Sequence, residues 1–249
     1  MKAMLAVCVI LFCVSAQADD MQKYLQDTRV LVRQGKYPAA LDRFVWFHEN
    51  AVAHDAGMSG VRLSFALSDW KALGKKYPPA RDALVEMRDR TTRQILDSGA
   101  TSQLFQDVAA LNRTLGEDSK TVDLFLVVDK NTPELAKNCW IMVKDAVIGA
   151  KQYELAAKYI GDPETAFLHI RHSYELNQTL YKDPRIGGPK FIAFNETRLV
   201  EESMQLISVL VAVKDQDHAI TVRDQALKLL DDPRLRAAVP ERPPAPPKS

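Results

Sequence analysis

An all-α chain of stacked antiparallel helix pairs is the fold that the sequence predicts, and three observations predict it. A short phrase recurs: Gly35-Lys36-Tyr37-Pro38-Ala39-Ala40, then Gly74-Lys75-Lys76-Tyr77-Pro78-Pro79-Ala80, then a degraded Ala150-Lys151-Gln152-Tyr153-Glu154-Leu155-Ala156. The three tyrosines lie 40 and then 76 residues apart, and a period near that length marks serially stacked helical hairpins. Apolar residues recur at three- and four-residue steps from Met21 to Leu230, the spacing of one helical stripe. Glycine is scarce, at 10 in 249 residues, and no strand-like alternation persists.

The elements follow in order. Tyr24, Leu25, Thr28, Leu31 and Val32 form the first stripe. Gly35 suits a helix C-terminus, where a left-handed residue costs least, and Pro38 suits the first turn of the next helix. Ala40, Leu41, Phe44 and Phe47 line that helix, with Tyr37 wedged between the pair. In the second hairpin Leu63, Leu67 and Trp70 precede the stop at Gly74, and Ala80, Leu84 and Met87 follow it. The third has Phe105, Val108 and Leu111 before Gly116, then Val122, Phe125 and Val128. The fourth has Trp140, Val143 and Val147, then Tyr153, Ala156 and Ile160. Thr132-Pro133 and Asp162-Pro163 each read as an N-cap with proline at the first helical position.

Beyond 161 the grammar changes. A long helix is expected from Pro163 to about Tyr181, with Phe167, Ile170, Tyr174 and Leu180 inward. A Gly/Pro loop is expected at 183–195, then an apolar helix through Leu199, Met204, Ile207, Leu210 and Val211. A last helix, Ala219 to Leu230, ends before Pro233. The organisation is therefore a signal segment at 1–18, helical repeats at 19–161, helices completing the stack at 162–236, and a disordered proline-rich tail at 237–249.

The signal reading rests on Lys2, the apolar run Met4 to Val14, and Ala16-Gln17-Ala18 as a cleavage site. That run is shorter than the roughly 20 residues a bilayer crossing needs, so no transmembrane segment is expected in the mature chain. The expected address is the periplasm, with secretion as the alternative. Cleavage leaves Cys139 as the single thiol, so packing without disulfides must hold the fold. The 33 basic and 32 acidic residues balance, which argues against nucleic acid as a partner.

The first-helix aromatics Tyr24 and Trp140, the Gly35-to-Tyr37 turn, the small residues Ala40, Ala80 and Ala156, and the anchors Phe44, Leu84, Phe125 and Ile160 resemble the tetratricopeptide repeat. The resemblance covers residues 20–161. Units one and two are longer than the usual repeat of about 34 residues, and the closing proline is missing after both. The resemblance implies a right-handed superhelix whose concave face holds a protein or peptide. On that geometry the groove is lined by Arg29, Arg33, Arg62, Asp69, Asn138 and Asp145. The loop residues Lys190, Phe191 and Phe194 are a second candidate contact.

Catalytic motifs are sparse. His169-x-x-His172-x-x-Glu175 places three metal-ligand types on successive turns of one helix, and supports an alternative reading as a metal-binding protein or metal-dependent enzyme. A solvated polar stripe fits the same pattern. His48-Glu49 starts a zinc-protease pattern, but Val52 stands where its second histidine would be. Cys139, beside Trp140, reads as a core thiol. Trp46, Trp70 and Phe65 read as core aromatics, with a glycan or small-molecule groove as the alternative. Asn112, Asn177 and Asn195 begin N-x-S/T sequons. The expected function is a non-enzymatic scaffold or adaptor of the bacterial envelope that needs no cofactor.

Overall fold

The computed structural model describes residues 20–183 and 185–239, all of them in helices or the turns between them, with no strand among the described residues. The expected signal segment and the tail from Pro240 lie outside that range. After α1 (20–33) come α2 (Tyr37–His54), α3 (Met58–Val61), a π-helical turn (Arg62–Ala66), α4 (Leu67–Gly74), α5 (Pro78–Ser98), α6 (Ser102–Leu115) and α7 (Asp118–Asn131). Then follow α8 (Pro133–Gly149), α9 (Tyr153–Ile160), α10 (Pro163–Leu180), α11 (Pro189–Ala212), α12 (Gln216–Leu229) and α13 (Pro233–Ala237). The chain divides into two compact units, Met1–Val143 and Lys144–Ser249. In each, the most extensive packing from α2 onward joins neighbours or next-but-one neighbours in sequence, while the π-helical turn also meets α6.

In the first unit Leu25, Ala40, Phe44, Phe47, Leu67, Trp70, Leu73, Ala80 and Leu84 share one apolar core. Ala40 and Ala80 are fully buried, and their lack of bulk lets the helices close on one another. Trp70 satisfies its indole by donating to the Ala80 carbonyl at 2.8 Å, which ties α4 to α5. In the second unit Phe167, Val200, Ile207, Leu210, Ala219, Ala226 and Leu235 form the core of α10 to α13.

The joints explain the recurring phrase. At Gly35, Gly116, Lys151 and Lys214 the backbone is left-handed, with φ of 73°, 77°, 58° and 65°. At each, that residue's N–H donates three residues back and the next N–H donates five back: Gly35 to Val32 and Lys36 to Leu31, Gly116 to Arg113 and Glu117 to Asn112, and so on. This is the Schellman closure of a helix C-terminus. The next helix begins two residues later every time, at Tyr37, Asp118, Tyr153 and Gln216. Two of the four positions are lysines, where a side chain in the left-handed region costs roughly 1–2 kcal/mol. Lys214→Gly is therefore expected to raise stability by about 1 kcal/mol, read from the urea midpoint at unchanged slope.

Gly74 works differently from the expected left-handed stop. The extra lysine in Gly74-Lys75-Lys76 makes another turn, and the residue after Gly74 stays right-handed at φ −71°. A Cβ at Gly74 would stand 3.2 Å from the Arg81 backbone nitrogen, so this glycine permits close approach of α4 and α5.

Four further expectations are corrected. The loop at 183–195 ends early, because Gly188 and Pro189 start α11 with proline in its first turn. Phe191, Phe194 and Asn195 are thus helical. Pro233 opens α13 and does not merely end α12, while Val239 is buried at the start of the expected tail. Phe65 is 65% exposed and Arg62 only 5%, the reverse of their expected places. The π-helical turn causes both: inward positions step by four through Met58, Arg62, Ala66 and Trp70, which the wider i→i+5 turn keeps on one line. Leu180, expected inward, is exposed.

Candidate interaction surfaces

Of the six expected groove residues, Arg29 and Asp69 are brought together across 40 residues, with Nε to Oδ2 at 2.7 Å between α1 and α4. Arg33 is exposed at the end of α1, and Asn138 and Asp145 are exposed on α8. Arg62 cannot face a partner. Its Nη2 donates to Asp107 Oδ1 at 2.5 Å and its Nη1 to Asp107 Oδ2 at 3.1 Å, a bidentate pair inside the first unit.

Nη1 of Arg62 also donates to the His48 carbonyl at 3.3 Å and lies 3.4 Å from His48 Nε2. The imidazole is 6% exposed and packs edge-on against Trp70. Its Nδ1 has no hydrogen-bond partner, and neither has Arg62 Nε. Burial, then the charges of Arg62 and Arg90, push the His48 pKa down to about 3, so the ring is neutral. A second buried arginine, Arg88, is held by Asp89, Asn112 and Glu117. Hydrogen bonds from Lys120 and Arg88 hold the Glu117 carboxyl down at about 2. Beside Arg88, Leu96, Leu124 and Val127 of α5 and α7 line a cleft of about 320 Å³.

An apolar surface lies in the second unit, at the tip of the α10–α11 hairpin. Leu176 and Leu180 end α10, Ile186 lies in the connection, and Phe191 and Phe194 fall in the first two turns of α11. All five are exposed, Phe191 by 48% and Phe194 by 55%. Tyr181 braces the tip, with its ring centroid 5.3 Å from that of Phe191. Gly187 fixes the tip's shape, since a Cβ there would fall 2.1 Å from the Tyr181 carbonyl oxygen. Lys190, also exposed, adds one charge. The sequence marked Phe191 and Phe194 but missed Leu176, Leu180 and Ile186, which alternate with polar residues and show no cluster until the hairpin folds.

Other candidates resolve differently. His169 and His172 are exposed, and Glu175 pairs with Arg171 at 3.4 Å. Among the described residues no three His, Cys, Asp or Glu side chains are grouped so as to hold a metal ion. Cys139 is buried, and burial pushes its thiol pKa up against an opposing hydrogen bond with Ser102. Asn112 and Asn195 are buried and hydrogen-bonded, to Arg88 and Thr121 and to Asn177 and the Tyr174 carbonyl, so neither sequon is open to a glycan in the folded chain. No described helix is long and apolar enough to cross a membrane. Compared with protein-family models and with curated proteins, the chain has no match to either.

Proposed function

We propose that the protein is a tetratricopeptide-like scaffold of the bacterial envelope, exported by its N-terminal segment, that binds a protein partner through the α10–α11 tip. One observation carries the reading: five large apolar side chains stand exposed on a braced hairpin tip. Monomeric surfaces rarely expose contiguous apolar groups on that scale without a partner to cover them. The serial packing of neighbouring helices and the four joints with one hydrogen-bond pattern support the helical-repeat part of the reading. The superhelix and its concave groove belong to the same proposal.

Aromatic anchors dominate interface energetics, and their truncation typically costs 2 kcal/mol or more. Phe191→Ser combined with Phe194→Ser is expected to weaken partner capture from periplasmic extract by about thirtyfold or more, with an unchanged helical circular-dichroism spectrum. Unchanged capture by the double variant would remove the tip from the interface.

A further inference from the structure

The contact at Gly74 has a neighbouring cavity. Where α4 closes onto the start of α5, these two helices and the end of α6 enclose about 220 Å³, lined by Lys71, Gly74, Lys75, Arg81, Leu84, Thr114 and Leu115. The floor is apolar, from Leu84 and Leu115, and three exposed cations stand around it. No acid lines the cavity. Among the described residues none of the three has a carboxylate within 4 Å. Asp82 follows Arg81 in sequence, yet it neither lines the space nor pairs with these cations.

Local helix electrostatics account for only part of this arrangement. Lys71 and Lys75 at the end of α4 complement its negative pole. Arg81 does the reverse, because it sits in the second turn of α5 at a positive pole whose first turn holds no acid. Three like charges around a low-dielectric floor repel one another when the cavity is empty, and an anion relieves that repulsion. The Thr114 hydroxyl is already committed to the Ala110 carbonyl at 2.8 Å, which leaves the cations as the available polar groups. The volume takes one apolar side chain.

We infer that this cavity is a recognition site for an acidic peptide segment, with one apolar side chain seated on Leu84 and Leu115 and flanking Asp or Glu carboxylates held by Lys71, Lys75 and Arg81. The inference rests on the reading of the protein as a peptide- or protein-binding scaffold. A random short-peptide display library selected against the full chain tests it, with the triple variant Lys71→Glu, Lys75→Glu, Arg81→Glu and the variant Phe191→Ser, Phe194→Ser as comparators. The expected result is enrichment of an apolar residue flanked by Asp or Glu. Binding should fall about tenfold or more in the triple variant, weaken with added salt, and be unaffected by the phenylalanine changes. An empty selection, enriched peptides without flanking acids, or equal binding by the triple variant would overturn the site. Peptides lost only in the phenylalanine variant would overturn the site while leaving the scaffold reading intact. All three reversals are at exposed positions, and circular dichroism verifies that the fold survives them.

Discussion

Lowering the pH from 6.5 to 5 should destabilise this protein by on the order of 2 kcal/mol more than it destabilises a His48→Gln variant. The imidazole is buried and neutral in the folded chain, with a pKa of about 3, while in the unfolded chain it titrates near its ordinary value of 6.5. Between those limits the unfolded state binds a proton that the folded state refuses. The contribution of His48 is therefore complete above pH 6.5 and is lost as the pH falls towards 3, reaching on the order of 4–5 kcal/mol. His218 acts in the opposite direction, because its hydrogen bond to Asp215 raises its pKa. Its stabilising share is present below pH 6.5 and fades as the pH rises through the raised value. The comparison with His48→Gln cancels that share. Urea midpoints at several pH values between 6.5 and 5 check the prediction before most carboxylates titrate, and parallel curves for the two proteins would refute it.

Asp107→Ala should cost about 3–5 kcal/mol, the largest effect expected from a single polar substitution here. It leaves the Arg62 guanidinium inside the first unit with its charge uncompensated, alongside a histidine that cannot accept a proton cheaply. The loss comes from the stranded charge more than from the bond itself. Replacing both members, Arg62→Met with Asp107→Leu, should therefore recover much of the stability, since a buried pair seldom outperforms well-packed apolar residues. Equilibrium unfolding of the two variants decides the matter. A loss below about 1 kcal/mol for Asp107→Ala would show that water reaches the arginine.

How far these features can be read from the chain depends on the range of the forces that set them. Gly35, Gly116, Pro163 and the small Ala40 and Ala80 act within a turn or two, and the sequence places each of them correctly. The partner that holds Arg62, Asp107, lies 45 residues away, so nothing near Arg62 announces that its charge turns inward and that Phe65 turns out. The candidate tip is legible in part. Phe191 and Phe194 stand out as aromatics beside Gly187-Gly188, and Pro189 was a signal that a helix begins before them. Leu176 and Leu180 carry the same i, i+4 spacing as buried residues, and which side of α10 faces water is decided by α11 and α12 packing against it. The degraded phrase from Ala150 marks the joint at Lys151, whereas Lys214 carries no such marker, because the usual residue at a left-handed position is glycine.

The four joints share one backbone path whatever residue occupies the bend, which makes them exchangeable parts. The segment Gly35-Lys36-Tyr37 could be grafted over Lys151-Gln152-Tyr153 with the same residue count and the same entry into the following helix.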